Sequence, residues 1–277
     1  MSRSRAACGL DLNGGAAIIA PMSGTDIASH RGGAFLWPEN SLLAVRHSLE
    51  WPVEQVEFDV HASADGEPVV IHDATLDRTT DGSGPVAAMR WAELRRLRLR
   101  GTGGETVPHL ADVVGLIAAS SQLVRMEIKA DGQGRPYPGL VERCVAVLDA
   151  AGQRGRCVLM SFEAATVAEG TALGGFRDRV LLVESRPLRG MRPSDAVVAA
   201  LSCGASELGV HVSVADEPLR DALRGAGLRL SVWGANHAPT VRRALALGVD
   251  AMASDDPPLA ARLRADAKLL LNRAGAG

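Results

Sequence analysis

The amino-acid sequence predicts a single α/β domain built as a (β/α)8 TIM barrel. From residue 27 onward, short β-rich segments alternate with longer segments of helical periodicity, which is the pattern of parallel βαβ units. Eight strand segments can be assigned, the number that closes such a barrel. The chain length of 277 residues also matches one barrel, which needs about 250. We therefore expect one closed barrel and one domain.

The predicted strands are short and mainly aliphatic, as buried parallel strands are. They span residues 27–29, 56–60, 123–128, 157–160, 180–183, 207–210, 228–232 and 250–253. Several predicted helices begin after a proline or end at a glycine, the residues that favour those positions. The helices span residues 41–49, 91–97, 110–119, 139–151, 163–171, 193–203, 217–226, 240–247 and 258–264.

One interval, residues 61–109, departs from the βα rhythm. It contains an Asp65-Gly66 turn, a predicted strand at 68–72 and a stretch rich in glycine and threonine. This pattern predicts a short hairpin and loop excursion after the second strand, and we expect it to cover the barrel mouth. The predicted organisation is an N-terminal extension over 1–26, the barrel over 27–265 and a C-terminal tail over 266–277.

Charge and composition restrict the class of partner. The net charge of −2 gives no general attraction to nucleic acid or anionic membranes, and no apolar run is long enough to cross a bilayer. We expect a small-molecule substrate, no nucleic acid and no stable membrane association, with a homo-oligomer left open. The four cysteines lack the spacing of a zinc site, and the N-terminal stretch lacks a long apolar signal segment. Both features favour a cytoplasmic location.

Polar residues stand at the strand ends where a barrel of this kind forms its active site. Glu57 and Asp59 lie two positions apart in the second strand, and Glu127 and Lys129 in the third. Because side chains alternate between the two faces of a strand, the members of each pair point the same way. The three carboxylates would then converge, and a hard divalent cation would neutralise them. The alternative is a set of salt bridges to Arg31, Lys129 and Arg78.

Two histidines occupy comparable positions. His30 precedes Arg31 after the first strand, and His72 precedes Asp73 in the predicted hairpin. Arg31 has the planar fork that binds phosphate in a bidentate manner, and two histidines beside it can serve as an acid/base pair. Lys129 is one of only two lysines among 30 basic residues, the others being arginine. A lysine at this position therefore indicates a crowded site that needs a compact point charge.

Further segments extend this series in order along residues 30–257. They are His30-Arg31-Gly32, Pro38-Glu39-Asn40-Ser41, Glu57-Phe58-Asp59-Val60, Asp65-Gly66 through His72-Asp73, Leu76-Asp77-Arg78-Thr79-Thr80 with Gly82 and Gly84, Glu127-Ile128-Lys129, Trp233 with Asn236, and Gly248-Val249-Asp250 through Ser254-Asp255-Asp256-Pro257. With these segments the chain closely resembles the glycerophosphodiester phosphodiesterase family, in the superfamily of phospholipase-C-like TIM barrels. Ser41, where threonine is common, and Gly234-Ala235, where bulkier residues are usual, depart from the family pattern and leave the preferred alcohol open.

The resemblance implies a set of site residues. Glu57, Asp59 and Glu127 would hold one divalent cation, Mg²⁺ or Ca²⁺. His30 and His72 would be the catalytic pair, which by analogy with related phosphodiesterase barrels places the base at His30 and the acid at His72. The implied substrate-binding residues are Arg31 and Lys129, on phosphate, and Trp233, which would wall the alcohol pocket.

The expected function is metal-dependent hydrolysis of glycerophosphodiesters to glycerol 3-phosphate and an alcohol. One alternative on the same scaffold is a lysophospholipase D or a phosphodiesterase like the phosphatidylinositol phospholipases, which should display an exposed apolar rim. Another is a non-catalytic barrel that binds phosphate esters, although binding alone needs no acid/base pair.

Several further polar residues have roles that the sequence leaves open. Glu39 is expected either to support the site or to balance a helix dipole, and Asn40 either to orient His30 or to cap the next helix. The remaining candidates near the rim are expected to be structural: His61, Glu184, His211 and Asp255.

Overall fold

Eight parallel strands close into a barrel, and a ninth, antiparallel strand pairs with one of them, in the computed structural model, which describes residues 24–274 of the chain. The strands are β1 (Asp26–Ser29), β2 (Gln55–Ala62), β3 (Pro68–Val70), β4 (Leu123–Ile128), β5 (Cys157–Ser161), β6 (Asp178–Val183), β7 (Glu207–His211), β8 (Arg229–Trp233) and β9 (Ala251–Ser254). Strand β1 pairs with β2 on one side and with β9 on the other, which completes the ring. Only β3 is antiparallel, and it pairs with the end of β2. The predicted barrel and its eight strands are confirmed.

Helices surround the strands. They are α1 (Leu42–Leu49), α2 (Trp91–Leu94), α3 (Leu110–Ala118), α4 (Leu140–Ala150), α5 (Ala164–Leu173), α6 (Ser185–Leu188), α7 (Pro193–Ser202), α8 (Glu217–Gly225), α9 (Ala238–Leu247) and α10 (Pro257–Ala274). None of the helices within residues 24–274 is long and apolar enough to span a membrane. The predicted helix at 91–97 is shorter because the chain beyond α2 becomes extended, and Arg98 and Leu99 form β-bridges to Thr106 and Thr80.

The C-terminal segment also differs from its prediction. The helix predicted to end at residue 264 continues to Ala274, so the expected tail is helical as far as the structure describes it. The sequence over 265–274 contains no glycine or proline and is rich in alanine and leucine, which favour helix. At the other end, residues 1–23 of the predicted N-terminal extension lie outside the described part of the chain.

The layer between barrel and helices fixes the direction of the polar side chains in β2. Val56, Phe58 and Val60 are fully buried in a cluster with apolar residues of α1, α3 and α4. Since alternate residues point to opposite faces, Glu57 and Asp59 must face the barrel interior. The burial of three aliphatic or aromatic side chains against the helices thus holds both carboxylates in place.

The excursion after β2 has a small core of its own. Its buried residues are Val69, Ile71, Leu76, Val86, Leu94, Leu99 and Val107. Of this excursion only His72 lines the cavity at the barrel mouth, so the excursion borders the opening on one side. The apolar residues of the excursion pack against one another.

The barrel interior has a charged half and an apolar half. In the charged half, Arg125 donates to Gln55 at 3.0 Å, to Glu207 at 2.7 Å and to Ser231 at 3.1 Å, below the mouth. The apolar half is formed by β5 and β6, where Val158, Met160, Val180 and Leu182 pack together.

Candidate active site

The three predicted carboxylates meet inside the barrel mouth. Strand register places Asp59 of β2 directly beside Glu127 of β4, and Glu57 lies on the same face of β2. One carboxylate oxygen from each residue lies within 4.8 Å of the others, and all three side chains are buried. The structure therefore brings together the oxygen atoms that the sequence predicts as ligands of a divalent cation.

The electrostatics of this cluster fit a cation. Burial and the charge of Asp59 raise the pKa of Glu57, and burial raises the pKa of Glu127 to about 7. Glu57 Oε2 accepts a hydrogen bond from the Arg31 backbone N–H at 2.7 Å, but its Oε1 atom is buried without a hydrogen-bond partner among the described residues. A buried, unpartnered carboxylate oxygen beside two further carboxylates is a suitable donor for a hard divalent ion.

Lys129 lies within the carboxylate cluster. Its Nζ atom is 2.9 Å from Asp59 Oδ1 and 2.5 Å from Glu127 Oε1. Burial acts against the ammonium form, yet the two carboxylates outweigh it and raise the pKa of Lys129. In return, although burial opposes the effect, Lys129 lowers the pKa of Asp59 well below its ordinary value. Lys129 is therefore a charged partner of two carboxylates.

His30 is oriented by the carboxylate of Asp255. Its Nδ1 atom lies 2.6 Å from Asp255 Oδ1, and its Nε2 atom lies 3.9 Å from Glu57 Oε2. Asn236 fixes Asp255, because its amide donates to Oδ2 and its Oδ1 accepts the Asp255 backbone N–H at 2.9 Å. Burial acts against protonation, but Glu57 and Asp255 together raise the pKa of His30. Asp255, expected to be structural, is thus a direct partner of His30.

His72 has a matching but different environment. Its Nδ1 atom lies 2.8 Å from Asp73 Oδ1, and its carbonyl oxygen lies 3.0 Å from His61 Nε2. The other nitrogen of His61 is 2.9 Å from the hydroxyl of Tyr137, so His61 joins the backbone of His72 to the loop after β4. Burial lowers the pKa of His72, and Lys129 adds to this effect. The pKa of His30 is therefore raised above the ordinary value of a histidine, and the pKa of His72 is lowered below it.

Asn40 has a role that neither sequence hypothesis anticipated. Its amide donates to Asp59 Oδ2 at 2.8 Å, and its Oδ1 accepts the Asp59 backbone N–H at 3.1 Å. The residue adopts a left-handed conformation with φ of 57°, which asparagine tolerates better than most residues. It neither orients His30 nor caps α1, since Ser41 Oγ accepts the Ala44 N–H at 3.0 Å as the cap. Asn40 instead clamps Asp59.

Arg31 and Glu39 lie at the edge of the carboxylate cluster. Arg31 Nη1 donates to Glu39 Oε1 at 3.2 Å, while Arg31 Nε is 3.5 Å from Asp59 Oδ2 and has no hydrogen-bond partner among the described residues. Arg78 makes two stronger contacts to Glu39, at 2.6 and 2.8 Å. Glu39 therefore supports the site through ion pairs, which decides between its two predicted roles.

A cavity of about 320 Å³ opens beside these groups. His30, Arg31, His72, Glu127 and Lys129 line one side of it. Apolar and aromatic residues form much of the rest of the lining, together with the polar residues Glu184, His211, Ser231 and Asn236; the apolar and aromatic ones are Met160, Phe162, Leu182, Val232, Trp233 and Ala253. A lining with a charged part and an apolar part suits a substrate that carries an anionic group next to a less polar one.

Trp233 lines the cavity. Its ring centroid lies 4.6 Å from that of His211 and 6.4 Å from that of Phe162, both with edge-on geometry. Gly234 follows with φ of 78°, and a Cβ atom there would lie 2.5 Å from His211 Nε2. The glycine at this position, a departure from the family pattern, therefore leaves room for His211 against Trp233.

Arg125 is a further cavity residue that the sequence analysis missed. It lines the cavity floor and is 3% exposed. Its position in β4, two residues before Glu127 on the same face, is the signal that could have identified it.

The site combines a buried carboxylate trio, two histidines with their own carboxylate partners, and an arginine of the kind that binds phosphate. This combination is typical of a phosphodiesterase barrel. Residues 30–259 match the family model described as the glycerophosphoryl diester phosphodiesterase family. The chain belongs to this family and is by class a glycerophosphodiester phosphodiesterase.

Curated and solved relatives support the same conclusion over nearly the whole chain. The glycerophosphodiester phosphodiesterase of Caldanaerobacter subterraneus is 27% identical over 84% of this chain and 95% of its own length. A crystal structure of a putative glycerophosphoryl diester phosphodiesterase from Agrobacterium tumefaciens is 32% identical, covers 89% of this chain and 100% of its own, and has a TM-score of 0.85. A phosphodiesterase from Oleispira antarctica, solved with the product sn-glycerol-3-phosphate, is 25% identical over 88% of this chain and 97% of its own, with a TM-score of 0.74.

Proposed function

We propose that this enzyme hydrolyses glycerophosphodiesters to glycerol 3-phosphate and an alcohol, with one divalent cation and histidine acid/base catalysis. The observation that carries the proposal is the buried trio Glu57, Asp59 and Glu127, in which Glu57 Oε1 lacks a partner among the described residues. The product complex of the Oleispira antarctica relative supports the choice of a glycerol phosphate ester.

Glu57, Asp59 and Glu127 would hold the cation, Mg²⁺ or Ca²⁺, through their carboxylate oxygens. When bound, the cation supplies Lewis-acid neutralisation of charge on the phosphate. Arg31, whose side chain lines the cavity, binds a non-bridging phosphate oxygen, and Lys129, which lines the same cavity, adds positive charge. Trp233 excludes water from the alcohol side of the cavity.

The two histidines move the protons. The Nδ1–H of His30 donates a hydrogen bond to the Asp255 carboxylate, so Nε2 is the nitrogen free to accept a proton from the nucleophile. The carboxylate of Asp255 stabilises the protonated form of His30, which suits His30 to accept a proton. Burial and the charge of Lys129 disfavour the protonated form of His72, which suits His72 to give a proton up. His72 then protonates the departing alkoxide. The nucleophile is water or the neighbouring glycerol hydroxyl, and either one gives its proton to His30.

A lysophospholipase D is the second candidate, because the rim carries exposed apolar side chains. In the loop between β1 and α1, Phe35 and Leu36 are 53% and 46% exposed. This loop begins with His30 and Arg31 and so lies at the barrel mouth. A lysophospholipid could therefore rest its acyl chain near the site entrance. A barrel that only binds phosphate esters has no comparable support, since both histidines keep carboxylate partners.

A substrate panel separates these functions. Glycerophosphocholine, glycerophosphoethanolamine, glycerophosphoinositol and a lysophospholipid are each incubated with the enzyme, with and without EDTA. Glycerol 3-phosphate is measured by a coupled assay. For the lysophospholipid the released alcohol is measured instead, because cleavage there leaves lysophosphatidic acid. We expect turnover of at least one glycerophosphodiester, lost in EDTA and restored by Mg²⁺ or Ca²⁺. Turnover of the lysophospholipid alone would favour the second candidate, and full activity in EDTA would refute the role of the cation.

The same proposal includes a cytoplasmic location. Cys144, Cys157 and Cys203, the cysteines within the described part of the chain, are free and buried, in keeping with a reducing compartment. The fourth cysteine, Cys8, lies outside the described residues. Fractionation of the cells that produce the protein would test the location.

A further inference from the structure

Arg78 connects two loops at the edge of the barrel mouth. Its Nε and Nη2 donate to Asp73 Oδ2 at 2.7 Å and Oδ1 at 3.0 Å. Its Nη1 and Nη2 donate to Glu39 Oε2 at 2.6 Å and Oε1 at 2.8 Å. Each carboxylate then contacts a site residue, Asp73 on His72 and Glu39 on Arg31. The Arg78 guanidinium therefore binds both carboxylates that contact His72 and Arg31.

The ion pair between Arg78 and Glu39 determines how much charge Arg31 retains for a substrate. Both oxygens of Glu39 are engaged by Arg78, and Arg31 shares only Oε1, at the longer distance of 3.2 Å. Without Arg78, the Glu39 carboxylate would be free to close on Arg31 with both oxygens. A bidentate carboxylate on Arg31 would occupy the fork that a phosphate needs.

The contact with Asp73 has a parallel effect on His72. The two oxygens of Asp73 are held by Arg78, and Oδ1 also accepts the Nδ1 proton of His72 at 2.8 Å. The hydrogen bond from Arg78 strongly lowers the pKa of Asp73, which keeps this acceptor ionised. Asp73 is thereby fixed in orientation, and the His72 ring with it.

We propose that Arg78 is a positioning residue that restrains Glu39 and so keeps Arg31 available for the phosphate of the substrate. The inference rests on the proposed function, since it assigns the phosphate to Arg31. A purely structural role predicts something different. Arg78 is 47% exposed, and exposed ion pairs contribute little to stability, so its loss would alter neither substrate affinity nor its dependence on Glu39.

The test compares wild type, Arg78→Met and the double variant Arg78→Met/Glu39→Gln. Affinity for sn-glycerol 3-phosphate is measured by calorimetric titration, in EDTA and with Mg²⁺, and KM and kcat are measured on a glycerophosphodiester. We expect Arg78→Met to weaken glycerol 3-phosphate binding and raise KM by about tenfold, the scale of losing one charge-assisted hydrogen bond. The double variant should recover most of the affinity, because glutamine cannot neutralise Arg31.

The matched control is Arg192→Met. Arg192 makes a bidentate pair with Asp195, at 3.0 and 2.8 Å, away from the cavity that holds Arg31. We expect its affinity and KM to equal those of wild type. If Arg78→Met does not fold, two single variants replace it, Arg78→Lys and Glu39→Gln. Lysine lacks the planar fork that holds both carboxylates. Arg78→Lys should bind more weakly, and Glu39→Gln should bind at least as tightly as wild type.

Equal affinity in wild type and in Arg78→Met would overturn the proposal, as would a double variant no tighter than the single one. So would a wild type that does not bind glycerol 3-phosphate at all. Failure of the proposed function is a separate result. A wild type that binds glycerol 3-phosphate but hydrolyses no diester refutes the activity, while the titrations still decide the role of Arg78.

Discussion

Replacing Lys129 by methionine should make the stability of the protein depend on a bound cation. The Nζ atom of Lys129 lies 2.9 Å from Asp59 and 2.5 Å from Glu127, and its side chain is 14% exposed. Methionine keeps much of the length of the side chain but removes the charge. Two buried carboxylates then lose their nearest counter-charge, unless a divalent ion supplies it.

The expected magnitude follows from this geometry. Removing one partner of a buried ion pair costs about 3–5 kcal/mol. At about 2–4 °C per kcal/mol for a chain of this size, Tm should fall by about 6–20 °C in EDTA. The lower end applies near pH 6, because Glu127, with a pKa raised to about 7, takes up a proton there and relieves the buried charge. Against the effect of burial, Lys129 lowers the pKa of Glu127, so its loss raises that pKa further in the variant. Above pH 7 wild-type Glu127 is ionised beside Lys129, whereas the variant must hold its proton or bury an unpaired charge, so the deficit should grow as the pH rises.

Thermal unfolding of wild type and Lys129→Met, in EDTA and in Mg²⁺ or Ca²⁺ at pH 6 and pH 8, measures this effect. A cation held by the three carboxylates should restore most of the lost Tm. Lys129→Arg is the matched control: it keeps the charge, so it should stay folded, but its longer planar fork should abolish most of the activity. A wild-type Tm for Lys129→Met in EDTA at pH 8, or wild-type kinetics for Lys129→Arg, would refute the reasoning.

Three further predictions concern the other site residues. Glu57→Gln or Asp59→Asn should abolish most turnover, partly restored by excess cation, and metal titrations that show unchanged affinity would contradict the ligand assignment. His72→Ala should keep much of its activity on glycerol-3-phosphoryl nitrophenol, because the nitrophenolate leaves without being protonated. His30→Ala should lose about 10²–10⁴-fold in activity on that ester and on alkyl diesters alike. The reverse pattern would exchange the roles of the two histidines. Asp255→Asn removes the charge that raises the pKa of His30, so the acidic limb of the kcat/KM–pH profile should move to lower pH, and an unmoved limb would show that Asp255 does not act through His30.

The sequence was sufficient for the barrel and for the residues that strand geometry aligns. Glu57 and Asp59 alternate with Val56, Phe58 and Val60, so burial of the apolar face leaves one direction for the carboxylates. The parallel register of β2 and β4 then brings Glu127 beside Asp59. Periodicity within a strand is a local property, and the barrel fold places the second and third predicted strands side by side, which is why this part of the site could be predicted.

The supporting contacts could not be predicted in the same way. His30 and Asp255 stand 225 positions apart in the chain and meet because β9 pairs with β1 when the barrel closes. Asn40 reaches Asp59 only from a left-handed backbone conformation, which hydrophobic periodicity does not report. Arg78 belongs to the irregular excursion, where no repeating pattern fixes the direction of a side chain. Long-range closure and irregular loops therefore set the limit of the sequence reasoning.

The barrel interior has a charged half and an apolar half, and the two halves lie on different strands. Val158, Met160, Val180 and Leu182 lie on β5 and β6, whereas the carboxylate trio belongs to β2 and β4. Of the four apolar residues, Met160 and Leu182 line the cavity. On the proposed function, substitutions at these two positions would change the space for the alcohol without touching the carboxylates. The choice of alcohol and the chemistry at phosphorus would then be encoded on separate strands.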